Sequence, residues 1–454
     1  MSFNSNIQNI FFKSVNIAPL IVFRIIFGSL MLFGTLRFIS KGWVAELYIN
    51  PKFHFTYLGF DWVKPLSGNW MYLPFILLAF ACLGIILGAF YRLSTVLFFL
   101  LFTYIELLDK TYYLNHYYFV SLIAFLLICL PANANFSIDS QRKPKIARNL
   151  VPAWTIWILK FQLACVYFFA GLAKLNSDWI VDAQPLKIWL QTHRDLPYVG
   201  RIFASTLTAF VFSWFGCIYD LTIPFFLSSY KTRKYAYIFV IVFHILTWLL
   251  FPIGVFPWVM IFSTLIFFSA EFHEKILLFL SKILKIKSVT ANIVQKSKSK
   301  FIIIAISLYI FLQITIPFRY LLYEGNIFWT EEGMRFSWRV MLMHKEGLAT
   351  FYVEDKKTKG EIEVDNSKYL TCSQIDQMST QPDFILQYAD FLKSKFSDTL
   401  LVFSKDKFHL KNPAIRVESF VSLNGRPHKL FVSKRHDLSR ISYNFANRKW
   451  VEKF

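Results

Sequence analysis

Lys174 follows the apolar run Ala164-Cys165-Val166-Tyr167-Phe168-Phe169-Ala170-Gly171-Leu172-Ala173 and precedes Leu175-Asn176-Ser177-Asp178-Trp179. A lysine in a low-dielectric setting can give up its proton, because burial disfavours the ammonium form. A neutral amine at a membrane boundary is a base for a lipid-soluble substrate. The same residue also fits a snorkelling lysine that marks a helix end. Asn115-His116 opens another apolar run, and His244 lies within Ile241-Val242-Phe243-His244-Ile245. Each histidine alone fits an ordinary packing role. Together, a lysine base, two histidines and an amide in an apolar pocket can deprotonate and orient a phenol-like or quinol-like headgroup.

These residues meet only if the elements that carry them do. The chain has 454 residues, of which 56% are hydrophobic and 19% aromatic, with 52 Phe. The apolar residues gather in long blocks, as in an integral membrane protein. About nine spans are expected, near residues 19–39, 70–90, 93–109, 116–132, 153–173, 204–228, 234–251, 253–270 and 301–320. The turn at Arg92, the loop from Arg142 to Arg148, the turn at Lys231–Lys234 and the stretch from Lys275 to Lys300 are basic. Nine spans put all four on one side with the amino terminus, and that side is expected to be the cytoplasm. Lys174, Asn115, His116, His244 and the tail beyond Tyr320 then belong to the outer side. Positive-inside loops account for the net charge of +21, and no basic-aromatic nucleic-acid motif accompanies it. The first dozen residues lack the features of a removable signal peptide.

Charged residues within the apolar blocks need partners. Arg24 requires an acid or carbonyls, with an internal ion pair expected. Asp220 is a partner for it or for another base. Glu106, Asp109 and Lys110 are spaced to satisfy one another on neighbouring helical turns. Cys82, Cys129, Cys165 and Cys217 read as small core residues, and Cys372 stands alone in the tail. No disulfide framework and no metal-ligand spacing follows. In the tail, Thr350–Val353 and Ser419–Leu423 alternate as strands, Asn424-Gly425 signals a type I′ hairpin before Lys429–Val432, and residues 382–396 carry helical periodicity. The expected fold is mainly α: a polytopic membrane helix bundle (residues 1–320) with a small extracytoplasmic α+β, β-rich domain (321–454).

The chain resembles the vitamin K-dependent gamma-glutamyl carboxylases. The resemblance runs in collinear order through Val22–Gly28, Asn69–Leu73, Leu87–Arg92, Leu107–Thr111 with Asn115-His116, and Tyr167–Gly171 with Lys174-Leu175 and Asp178-Trp179. It continues through Phe243-His244, Leu250–Phe256, Asn326–Thr330, Phe336–Trp338 and Phe420–Asn424 with Arg426. It implies oxidation of vitamin K hydroquinone by O2 to its epoxide, which generates a base that takes a γ-proton from peptidyl glutamate so that CO2 adds. On the matching positions Lys174 would deprotonate the hydroquinone and His116 support the charged intermediate. Asn115, His244 and Trp179 would line the quinone site. The partners implied are the lipid bilayer and a glutamate-containing exported protein or peptide, with no nucleic acid.

Three departures bear on the substrate. A tail tyrosine of the animal enzymes falls at Met334, their cysteine bridge has no candidate pair, and their long luminal region is missing beyond Phe454. A short form of this kind resembles bacterial members, placed in the inner membrane with the site facing the periplasm and menaquinol as a reductant. The alternatives are a quinol epoxidase without carboxylation, a non-catalytic quinone- or lipid-binding protein, or a transporter.

Overall fold

The computed structural model describes residues 10–284, 299–403 and 406–454. In chain order its membrane part comprises α1 (Ala18–Ser40), α2 (Tyr72–Leu87), α3 (Tyr91–Leu108), α4 (Asn115–Cys129), α5 (Trp154–Ala173), α6 (Thr206–Ser228), α7 (Arg233–Leu250), α8 (Phe256–Ser263), α9 (Ala270–Leu284) and α10 (Lys300–Thr315). A 3-10 turn, Gly68–Met71, leads into α2, and another, Ile316–Leu322, continues α10. Seven of these segments are long and apolar enough to cross a bilayer. The protein is a polytopic helical membrane protein.

All nine expected spans fall on helices, but two are short. α4 has 15 residues, about 22 Å at the usual rise. α8 continues as a 3-10 turn only to Phe267, where the chain bends by 118° into α9. The segment expected to span at 253–270 therefore ends early, and α9 carries charged Glu271, Glu274 and Lys275 that a full crossing would bury. The part of the basic stretch between 285 and 298 lies outside the described residues. A short antiparallel ladder, β1 (Ser14–Asn16) with β2 (Leu150–Pro152), ties the approach to α1 to that of α5.

Arg24 is fully buried and forms no ion pair with an acid among the described residues. Its Nη1 donates to Ala132 O (3.1 Å), and its Nη2 donates to Phe136 O (2.7 Å) and Ile86 O (3.3 Å). The expected ion pair is replaced by carbonyls left free where chain turns end helices. Gly88 makes this approach possible: it is left-handed (φ +60°), and a Cβ there would lie 2.3 Å from Arg24 Nη1. Cys129 departs from the expected core placement, since it is exposed on α4, whereas Cys82, Cys165 and Cys217 are buried.

The tail holds β3 (Lys345–Glu354), β4 (Glu361–Glu363), α11 (Cys372–Thr380), α12 (Pro382–Phe396), β5 (Thr399–Phe403), β6 (Asp406–Leu410), β7 (Ala414–Leu423) and β8 (Lys429–Val432). One antiparallel sheet has the order β4-β3-β7-β8. α12 matches the periodicity expected over 382–396 and buries Phe384, Ile385, Tyr388 and Leu392. Asn424 and Gly425 both take positive φ, as a type I′ turn requires, yet the loop continues to Lys429 because β8 pairs only from there.

Ion pairs dock this tail onto the membrane helices. Asp178 accepts two hydrogen bonds from Arg426 (2.8 and 2.7 Å) and one from Asn424 Nδ2 (2.6 Å). Asp383 accepts from Lys110 Nζ (2.8 Å) and Arg335 Nη1 (2.7 Å). Burial raises the Asp383 carboxyl, but Arg335 and Lys110 outweigh it and hold the group well below the usual range. Gln374 joins Asp109 (3.0 Å) to the carbonyl of Phe53 (2.7 Å).

Asp109 and Lys110 thus reach into the tail instead of satisfying Glu106. α3 ends at Leu108 and Asp109 is extended (φ −151°), so the helical spacing on which that expectation rests stops there.

Candidate active site

One cavity of about 520 Å³ lies between the helix ends that face the tail. Several helices contribute residues from their tail-side halves: Phe38 from α1, Glu106 from α3, His116 from α4, Lys174 from the end of α5, His244 from α7 and Phe256 from α8. The loop before β3 completes the wall with Arg339, Val340 and Met341. All five residues singled out in the sequence, Asn115, His116, Lys174, Trp179 and His244, line this space.

Lys174 is not an isolated amine. Its Nζ donates to Asp220 Oδ2 at 2.7 Å and to Ala170 O at 3.2 Å, and it lies 5.3 Å from the centre of the Trp179 ring. Asp220, 46 positions along the chain on α6, serves this base and not Arg24. Gly171 allows the pairing: a Cβ there would lie 2.7 Å from Leu221 N, so only glycine lets α5 approach α6 this closely. Cys217 fills the same crossing, with Sγ 3.8 Å from Gly171 O.

His244 is buried, with Nε2 3.0 Å from the Tyr167 hydroxyl and Nδ1 lacking a partner among the described residues. The side chain of His116 stacks on Phe256, ring centres 5.1 Å apart, and Phe256 meets His244 edge-on at 6.1 Å. One aromatic ring thus spaces the two imidazoles. Trp179 spends its indole N–H on Ser213 O (2.8 Å) and offers the cavity only an apolar ring. Asn115 holds the tail loop: Nδ2 donates to Arg339 O (3.0 Å), and Oδ1 accepts from the Tyr113 hydroxyl (3.1 Å).

Glu106 faces the cavity without a hydrogen bond or ion pair among the described residues. Among those residues, no three His, Cys, Asp or Glu side chains gather as metal ligands. The sequence reading gave no site role to Tyr167, Phe256, Glu106 or Arg339. Tyr167 and Phe256 each sit in a segment of resemblance and Glu106 borders one, but their orientation toward the cavity depends on helix packing that no local pattern encodes.

The arrangement combines a lysine–aspartate ion pair, two imidazoles and an aromatic enclosure, which suits a planar, mostly apolar ligand with a few polar atoms. Residues 12–272, more than half the chain, match the family model of the HTTM domain. Residues 298–454 match that of the vitamin K-dependent gamma-carboxylase lumenal domain. No solved structure matches the chain.

Proposed function

The chain belongs to the vitamin K-dependent gamma-glutamyl carboxylase family, and we propose that it couples oxygenation of vitamin K hydroquinone, or menaquinol, to carboxylation of peptidyl glutamate. The supporting observation is the meeting of the Lys174–Asp220 pair with His116 and His244 on one apolar cavity. A reduced quinone fits that setting: the cavity volume is in the range of small-ligand sites, and the orphaned His244 Nδ1 is a polar atom awaiting a partner. Bound there, the quinol would supply with O2 the oxidation, to quinone epoxide and water, that yields a base strong enough for a glutamate γ-proton, after which CO2 adds.

The chain's own residues begin that chemistry. Lys174 passes one ammonium proton to Asp220 Oδ2, and the resulting neutral amine takes a proton from a bound hydroxyl. The pair ends with a protonated carboxyl and a restored ammonium beside the new oxyanion. His116 and His244 supply polar contacts on the same wall, and Trp179 and Phe256 exclude water. Residues 1–320 form the catalytic part. The tail, 321–454, faces the extracytoplasmic side of a bacterial inner membrane, where an exported glutamate-containing protein would approach.

Labelled CO2 incorporation into a glutamate peptide, measured together with epoxide formation, tests the proposal. Lys174→Ala should abolish both. Wild-type protein that forms epoxide but fixes no CO2 across varied peptides refutes the carboxylase half. The closed Lys174–Asp220 pair also suits a quinone-binding protein without catalysis. In that case the wild type turns nothing over, and Lys174→Ala leaves quinone affinity nearly intact.

A further inference from the structure

Buried and half-buried cations of the tail generally have acids. Arg335 pairs with Asp383, Lys345 with Glu331, Arg416 with Glu354 and Arg426 with Asp178. Arg339 is different. It is the charged residue that the tail sends to the cavity wall, and no carboxylate lies within ion-pair distance of it among the described residues. Its guanidinium lies over the Tyr320 ring at 4.0 Å, and its buried Nε has no acceptor among the described residues.

The backbone around Arg339 is held in a costly shape. Phe336, Trp338 and Met341 all have φ between 53° and 59°, a left-handed region that costs a bulky residue on the order of 1 kcal/mol or more. Several contacts hold the loop there. The Tyr113 hydroxyl accepts from Phe336 N (2.7 Å), Asn115 Nδ2 donates to Arg339 O, and Tyr118 stacks on Trp338 at 5.0 Å. The segment that carries His116 therefore also fixes Arg339.

We propose that Arg339 binds the γ-carboxylate of the peptidyl glutamate, an inference that rests on the carboxylase reading above. A guanidinium matches a carboxylate with paired, charge-assisted hydrogen bonds, and an apolar wall strengthens them. Its place on the tail-side wall is where a peptide from that side enters. Glu106 would repel the same group. Arg37, the other cavity arginine without an ion-paired acid, lies over Trp43 on α1 and serves as the comparison.

Binding of a fluorescent glutamate peptide and of its glutamine counterpart to detergent-solubilised protein is the test, with the peptide KM for CO2 fixation measured in parallel. Wild type should prefer the glutamate peptide. Arg339→Gln should weaken that peptide on the order of ten- to a hundredfold, the usual worth of a charged hydrogen bond, with a far smaller change in the KM for quinol. Arg339→Lys should recover part of the loss, and Arg37→Gln should keep the preference for the glutamate peptide over its glutamine counterpart. Retained peptide preference in Arg339→Gln, or its loss in Arg37→Gln alone, overturns the assignment while leaving the carboxylase reading standing. A wild type that fixes no CO2 and shows no preference overturns both.

Discussion

Arg24 and Lys174 are both cations buried among membrane helices, and they are neutralised in opposite ways. Arg24 spreads its charge over three backbone carbonyls in a packed region, with Gly88 cleared away to admit it. Lys174 has one carboxylate, one carbonyl and an open cavity beside it. The arginine cannot leave its carbonyls without breaking helix ends, and it has no space for a ligand. In the proposed function the lysine exchanges a proton with Asp220 across a 2.7 Å contact without moving any backbone, and a ligand-sized space lies beside it. Burial alone therefore does not mark a functional charge. A transferable partner and adjacent room do.

Substitution at the two sites should separate them. Lys174→Ala should lower CO2 fixation and epoxide formation by roughly 10²- to 10⁴-fold, the usual worth of a positioned base. It also strands Asp220, and a single unpaired buried charge costs about 3–5 kcal/mol. The double variant Lys174→Met with Asp220→Asn should recover thermal stability but not activity. If activity returns with stability, Lys174 is only a structural counter-ion. Arg24→Met has no comparable rescue, because its partners are backbone. It leaves three carbonyls unsatisfied, and at about 1–3 kcal/mol each it should show mainly as lost folded protein, with the surviving fraction still turning over.

The spacing of α5 and α6 tunes the functional cation more finely. Gly171→Ala would press a Cβ against Leu221, forcing the helices apart at the level of the ion pair. Overpacking of this kind costs about 1–3 kcal/mol. The expected reading is a drop of roughly tenfold in kcat with little change in peptide KM, because a misplaced proton acceptor slows chemistry more than binding. An unchanged kcat would show that the Lys174–Asp220 distance is not critical.

Much of this was readable along the chain. Apolar runs located every helix of the membrane part except α9, since each segment of suitable length has few alternatives in lipid. Counting charged turns put Lys174, His116 and His244 on one side. Periodicity found α12, and Asn424-Gly425 found a turn. Three-dimensional choices were not readable. Asp220 chose Lys174 over Arg24 because Gly171 permits one helix crossing, a contact across 46 residues. Asp109 and Lys110 were read as helical neighbours of Glu106, but the helix ends one residue before Asp109 and both side chains turn to the tail. The bend after Phe267 was hidden for a similar reason: hydropathy reports how apolar a segment is and not where its axis turns.

The smallest expected effect lies where the tail docks. Arg426 hydrogen bonds pull the Asp178 carboxyl below its usual range, opposed by burial and assisted by Asn424. A carboxylate with a lowered folded value stabilises the docked state fully above its unfolded value, near pH 4, and loses that contribution only as pH falls through the folded value. Docking should therefore be flat from neutral pH down to about pH 4 and weaken below it. Arg426→Gln should weaken docking modestly at neutral pH and shrink the acid loss below pH 4, because the folded Asp178 value then rises toward its unfolded value. Deuterium uptake along β7 and β8, followed against pH in detergent, reads both effects. Asp383, lowered by Arg335 and Lys110, contributes to the same acid window and is untouched by this variant, so part of the acid loss should remain. Identical pH profiles for the two proteins would mean that the Asp178–Arg426 contact orients the tail without stabilising it, unlike the Lys174–Asp220 pair, which the proposed function makes a proton-transfer pair.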